Sequence, residues 1–375
     1  MTHTLDPPNP EPLPTRSSAP RIPVAVLGAT GSVGQRFVSL LHRHPWFRIA
    51  ELTASERSAG KPYGEAARWM QAEPLPEEVA EMPVVSTDPK TRPLGSKLLF
   101  SGLDSRAADR VETPYAAAGH FVVSNAKSHR MDPDVPLVVP EVNPDHLGLL
   151  DAQRYADGGG IVTNPNCSTI GLVMALKPLV DAFGVEAVHV VSLQAVSGAG
   201  IPGVPSMAAL DNIVPFIGGE EDKLENETGK ILGRLVGHGI EHAAVAVSAQ
   251  CTRVPVIDGH TLCVSLRPGR DASLEEIGDA LASFTAEPQR RGLPTAPERP
   301  IHVLDQADRP QPRLDRDRDG GMAAVVGRLR PCPLLGVKFV TLSHNTLRGA
   351  AGGSILLAEL ALAQGRIPGL TAPTP

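Results

Sequence analysis

The sequence predicts an α/β protein: a mostly parallel, doubly wound sheet followed by a second domain of α+β type. Three observations carry this. Pro23-Val24-Ala25-Val26-Leu27 is a short apolar strand that runs at once into Gly28-Ala29-Thr30-Gly31-Ser32-Val33-Gly34, and Phe37, Val38, Leu40 and Leu41 then mark one face of a helix. Apolar strand patterns and helical patterns alternate through the early part of the chain, as a parallel sheet with crossover helices requires. Beyond Cys167 the strands lengthen and crossover helices become fewer, which fits a mixed or antiparallel sheet and a wide face suited to dimerisation.

The chain has 375 residues, enough for two domains and a sizeable core. Its net charge is −6 with no dense basic run, so nucleic acid is not an expected partner. Cys167, Cys251, Cys263 and Cys332 form no metal-ligand pair and are too scattered for a disulfide scaffold, so no metal is expected and a reducing compartment is. No apolar stretch approaches the ~18 residues that span a bilayer. Seven prolines between Pro7 and Pro23 exclude helix and remove ladder donors. Residues 1–20 read as a disordered extension without the apolar core of a secretory signal, and the cytoplasm is the expected location.

The strand, glycine loop and helix at Val24 to Leu41 form the context of a dinucleotide fingerprint, although the spacing is GxxGxxG. Gly28, Thr30, Gly31, Ser32 and Val33 are the candidate contacts. Glycines let the backbone approach a pyrophosphate, and the helix start offers N–H donors. A tight turn without a ligand is the other reading of the loop alone. Phe47 to Thr53 reads as the second strand. After it, Ser55, Arg57, Ser58 and Lys61 crowd one turn with Glu56. Hydroxyls and cations suit a 2′-phosphate, so NADP is expected rather than NAD. Further strands are read at Lys97 to Ser101 and His120 to Ser124, with a third apolar run at Val135 to Pro140.

Thr163-Asn164-Pro165-Asn166-Cys167-Ser168-Thr169 lies between a strand at Gly160–Thr163 and a buried helix through Ile170 to Leu176. Cys167 therefore falls at a helix N-terminus, where free N–H groups and the dipole favour a thiolate. A thiolate attacks carbonyl carbon. A buried structural cysteine is the alternative. Glu186 to Val196 reads as a long strand ending in the glycine turn Ser197-Gly198-Ala199-Gly200. Arg253 and His260 flank a turn at Asp258-Gly259 that can bring them together, with His260 the general-base candidate. Gly218 to Lys223 opens a polar helix through Ile231, readable as a solvated face. Arg313 to Asp319 reads as an exposed loop. His344 to Gly353 is a glycine-rich start to the apolar helix Ile355 to Ala363, either approaching the cofactor or packing closely on the sheet.

These segments, from Ile22 to the final helix, resemble the aspartate-semialdehyde dehydrogenase family in its archaeal and fungal branch. The resemblance rests on Val26 to Gly31, Ser124-Asn125-Ala126, Val138 to Asn143, the cysteine segment, Gln194 to Gly200, Arg253-Val254-Pro255, Gly259-His260-Thr261 and Arg348 to Gly352. It implies a Rossmann-type NADP-binding domain over 21–165, to which a helix at 349–365 returns, and a catalytic and dimerisation domain over 166–348. It implies that Cys167 is the nucleophile and His260 the acid–base catalyst. Arg130, Asn166 and Lys223 match the phosphate-holding groups, Arg253 the clamp on the α-carboxylate, Glu220 the acid facing the amino group, and Gln194 the residue that positions the thioester. Gly198 and Asn345 look like contacts near the nicotinamide. The implied reaction converts 4-phospho-L-aspartate to L-aspartate 4-semialdehyde with NADPH, in the route to lysine, threonine, methionine and isoleucine. The implied partners are a small-molecule substrate, phosphate and a second copy of the chain, as a homodimer or homotetramer. Malonyl-CoA reduction on the same scaffold is the rival. It would keep Cys167 and His260 but lose Glu220 with Arg253.

Overall fold

The computed structural model describes residues 20–373; the expected disordered extension at 1–20 lies almost wholly outside them. Six strands form the first sheet: β1 (Ile22–Leu27), β2 (Phe47–Ala54), β3 (Val84–Ser86), β4 (Leu98–Ser101), β5 (Phe121–Ser124) and β6 (Gly160–Thr163). All are parallel, in the order β3-β2-β1-β4-β5-β6. The chain moves outward from β1 to β3 and then returns to β4. That reversal opens a crevice beyond the carboxyl ends of β1 and β4, the place where such sheets hold ligands. The strands are apolar without alternation because both faces are covered.

The first helix, Ser32–Leu41, buries Phe37, Val38 and Leu41 against β1. On the same core lie Ile355, Leu356, Ala358 and Leu362 of the last helix, Gly352–Ala363, which is buried around its whole circumference.

The second sheet contains β7 (Val185–Gln194), β10 (Ala246–Arg253), β11 (His260–Pro268), β12 (Ile301–Leu304), β13 (Ala324–Cys332) and β14 (Gly336–Ser343), ordered β10-β7-β11-β14-β13-β12. It is mixed: β7 pairs parallel with β10 and antiparallel with β11. A two-stranded ribbon of β8 (Arg234–Val236) and β9 (Gly239–Glu241) stands apart. The helix Cys167–Phe183 lays Leu172, Leu176 and Leu179 on one face of this sheet with Val188, Val264 and Phe339. Strand alternation follows from that one-sided burial, as in β11, where Leu262, Val264 and Leu266 point inward and Cys263 and Arg267 are exposed.

The apolar run Val135 to Pro140 makes one bridge, Leu137 to Thr163, and is no strand of the sheet. Pro136 and Pro140 lack the N–H a ladder needs. One expectation is corrected in part: Arg313, Leu314, Asp317 and Asp319 of the stretch read as an exposed loop are exposed, but Asp315 is not. Asp315 is 1% exposed and accepts from Arg309, Arg318 and the Gln311 N–H, so this segment folds around a buried carboxylate.

Candidate active site

Cys167 is the first residue of its helix, and Asn166 is the cap. The Asn166 side chain accepts from Ser168 N at 2.9 Å and Thr169 N at 3.2 Å. The cysteine sulfur lies 3.2 Å from His260 Nε2. His260 begins β11 and is fully buried. Ala195 N donates to its other ring nitrogen, Nδ1, at 3.1 Å.

Burial pushes the Cys167 thiol up to about 12, with the Glu220 carboxylate adding to the effect and Arg130, Lys223 and Arg253 opposing it. Burial and then Arg253 hold His260 down to about 3. Both shifts act toward a neutral thiol and a neutral imidazole. Burial thus opposes the pull of the helix start toward a thiolate, and two of the N–H groups there already donate to Asn166.

Arg253 and His260 do come together: they end and begin the two strands that flank β7, where Gln194 pairs with Arg253 and Leu193 with Thr261, the residue after His260. Arg253 Nη1 donates to Ala195 O at 2.7 Å. The Ser197 to Gly200 turn crosses above them. A Cβ at Gly198 would lie 2.9 Å from Arg253 Nη1 and 3.2 Å from His260 Cε1, so only glycine lets the turn pass so closely.

The helix Glu220–Ile231 supplies the anion-binding side, and its inner face is a buried charged stripe rather than a solvated one. Glu220 pairs with Lys223 and accepts from Asn166 Nδ2 at 2.9 Å and Gln194 Nε2 at 3.2 Å. Burial raises this carboxyl, yet Lys223 and the two amide donors outweigh it and leave it below the usual range. Two turns on, Glu227 accepts from Asn166 N at 2.7 Å and Arg130 Nη1 at 2.9 Å. Arg130 Nη2 donates to Asn125 O, while its Nε has no hydrogen-bond partner among the described residues. Lys230 donates to the carbonyls of Arg130, Asp132 and Val135, fixing the segment that carries Arg130.

One cleft of ≈ 1560 Å³ runs from these groups to the glycine turn, lined at its far end by Gly28, Thr30, Gly31, Ser32, Val33, Ser55 and Arg57 and in the middle by Gly198 and Asn345. Ser58 and Lys61 do not line it, which separates them from the four-residue cluster read in the sequence. The turn fits a dinucleotide. Gly28 has φ +74°, and a Cβ there would meet Leu103 Cδ2 at 2.9 Å and Gly102 O at 3.3 Å across the sheet's switch point. Gly31 caps the following helix without a side-chain bond, leaving N–H groups to face an anion. Asn345 bonds Gly259 N and Ser197 Oγ, clasping two turns together beside the cleft.

Four contributors escaped the sequence reading: Glu227, Lys230, the Ala195 N–H and Gly349. A Cβ at Gly349 would stand 2.6 Å from Cys167 Cβ, so the glycine-rich segment before the last helix packs on Cys167 itself. Arg348 beside it is buried and paired with Glu141.

A cysteine paired with an imidazole, sharing a cleft with a dinucleotide turn, defines a dehydrogenase that works through a covalent cysteine adduct. Family models agree: residues 23–150 match the semialdehyde dehydrogenase NAD-binding domain and residues 176–348 its dimerisation domain. The chain is 52% identical over 342 residues to the aspartate-semialdehyde dehydrogenase of Methanothermobacter thermautotrophicus, covering 90% of this chain and 98% of that one. It is 50% identical over 351 residues to that of Schizosaccharomyces pombe, covering 91% and 98%. The crystal structure of the Candida albicans enzyme with NADP superimposes with a TM-score of 0.85 at 48% identity, covering 92% of this chain and 99% of that one. The chain belongs to the aspartate-semialdehyde dehydrogenase family. It is an NADP-dependent oxidoreductase of amino-acid biosynthesis.

Proposed function

We propose that the chain reduces 4-phospho-L-aspartate to L-aspartate 4-semialdehyde and phosphate through a thioester on Cys167. The observation that carries this is the 3.2 Å contact of His260 with Cys167, a residue on the wall of a cleft that also holds the dinucleotide turn and a cationic cluster. Arg253 takes the α-carboxylate, because its planar donor fork matches an oxyanion. Glu220 faces the amino group and Gln194 positions the acyl carbon. Arg130, Asn166 and Lys223 hold the acyl phosphate, the free Nε of Arg130 being a donor in reserve. Cys167 displaces the phosphate. NADPH, held by Gly28, Thr30, Gly31, Ser32, Val33, Ser55 and Arg57 with Gly198 and Asn345 beside the nicotinamide, supplies hydride when bound. His260 serves the sulfur and the carbonyl oxygen at the reacting centre. Residues 21–165 with the helix at 349–365 act as the cofactor domain and 166–348 as the catalytic domain.

A second copy of the chain is the expected partner, in a homodimer or a homotetramer. Support comes from the match to a dimerisation domain and from exposed apolar side chains at Met207, Leu210, Ile213 and Phe216 within it. Among the described residues no helix is long and apolar enough to cross a membrane, and the cytoplasm is the proposed location.

The test is phosphate-dependent reduction of NADP by L-aspartate 4-semialdehyde. Activity in the parent and none in Cys167→Ala is expected. Robust turnover of malonyl-CoA with none of the semialdehyde would replace this reading with the rival.

A further inference from the structure

The turn after β2 carries a residue that NADP does not call for. A dinucleotide site that takes NAD places an acid just past its second strand, where it accepts from the ribose hydroxyls. Glu56 stands there, on the cleft wall between Ser55 and Arg57. The same carboxylate aimed at the ribose 2′ position would repel the extra phosphate of NADP. A chain that uses NADP must either lose this acid or aim it elsewhere.

Here it is aimed elsewhere. Ser86 ends β3 in register with Ala54, the last residue of β2, and its Oγ donates to Glu56 Oε1. The serine end of this bond is fixed. Ser86 is buried, and its Oγ also accepts from Asp88 N at 3.1 Å. Thr87 beside it is tied to β2 twice, by its N–H to Ala54 O at 3.0 Å and by its hydroxyl to Thr53 Oγ1 at 2.8 Å. Glu56 is exposed, so without Ser86 its side chain is free to turn. Two other carboxylates line this end of the cleft. Asp88 accepts from Lys90 N at 2.9 Å and Asp104 from Ala107 N at 3.1 Å, each inside its own turn. Of the three, Glu56 alone is held from a different strand. With Glu56 drawn toward β3, the Ser55 hydroxyl and the Arg57 guanidinium are left to an anion.

We propose that Ser86 is a specificity-determining residue for the cofactor. By holding the Glu56 carboxylate against β3 it keeps the ribose 2′ position open to a phosphate. Without this latch Glu56 turns back and accepts from the 2′-hydroxyl of NAD. The proposal rests on the assignment of the Ser55 to Arg57 turn to the 2′-phosphate.

Calorimetric titration of the full-length protein with NADP and with NAD tests it. Ser86→Ala is expected to lower the preference for NADP over NAD about tenfold, the low end for a hydrogen bond to a charged group, with NAD bound more tightly and NADP less. Ser86→Thr keeps the hydroxyl and is expected to keep the parent preference. In a Glu56→Gln background the change to alanine is expected to shift nothing further. A parent-like preference in Ser86→Ala overturns the proposal. So does an equal drop in the Glu56→Gln background, which would place the effect in the Asp88 turn. Glu56→Asp has too short an arm to keep the bond to Ser86. It is expected to shift the preference in the same direction, and it decides the proposal if the alanine variant does not fold. Arg57→Ala separates the latch from the assignment beneath it. Equal losses of NADP and NAD binding there overturn the 2′-phosphate assignment, and the proposal with it. A selective loss of NADP beside a parent-like Ser86→Ala overturns the latch alone.

Discussion

Gly349→Ala asks whether the last helix sets the position of the nucleophile. The added Cβ would lie 2.6 Å from Cys167 Cβ and 3.0 Å from its Cα. Carbon atoms rest at ~3.5–4.0 Å, so the two segments must separate by roughly 1 Å. The turn Leu347–Ala351 resists, because Arg348 is locked to Glu141 in the core and also contacts Met174 Sδ. Asn166 resists on the other side, held by Glu220 and Glu227. Relief falls on the Cys167–His260 contact. A ~1 Å misplacement of a reacting group costs about 10²-fold in rate, and overpacking costs ~1–3 kcal/mol of stability. The assay is steady-state kinetics with denaturant unfolding. A large fall in kcat is expected, with KM for NADP unchanged and stability reduced. Parent-like kcat together with parent-like stability would refute the packing argument.

Three further outcomes are expected. Glu227→Ala strips the partner from the buried Arg130 and from Asn166 N, so it should destabilise the fold by ~3 kcal/mol and raise KM for phosphate more than KM for NADP; equal changes in both would contradict a role at the phosphate end. Arg57→Ala should weaken NADP binding more than NAD binding, measured by titrating each cofactor, and equal losses would remove the 2′-phosphate assignment. Burial acts to raise the Asp315 carboxyl, but bonds from Arg309, Gln311 N and Arg318 win and leave it below its ordinary value. Its contribution is thus present above the unfolded carboxylate pKa and lost as pH falls through the lower folded one. Asp315→Asn should be ~3 kcal/mol less stable at neutral pH, with the gap closing in acid; a pH-independent gap in unfolding experiments would refute the linkage.

The sequence made legible whatever depends on local order. The glycine turn after β1, the helix start at Cys167 and the apolar face of that helix each occupy a few adjacent positions. Arg253 and His260 were readable as candidates, but their meeting depends on β7 lying between their strands, which spacing along the chain does not encode. Glu227 stayed hidden because its partners are 61 and 97 positions away. Its signal was present: Glu220, Glu227 and Lys230 fall at helical spacing on one face, a charged stripe where solvation was the simpler reading. The Ala195 N–H left no trace at all, since every residue but proline carries that donor. Of the residues read in the turn after β2, Ser55 and Arg57 line the cleft, whereas Ser58 and Lys61 do not.

The covalent step is the centre of this account, and the acyl-enzyme is its most direct test. Intact protein mixed with 4-phospho-L-aspartate, without NADPH, is quenched in acid and mapped by mass spectrometry. The expected result is a single aspartyl adduct on Cys167, labile to hydroxylamine and absent from Cys167→Ala. No adduct despite phosphate release, or an adduct on another residue, would contradict it.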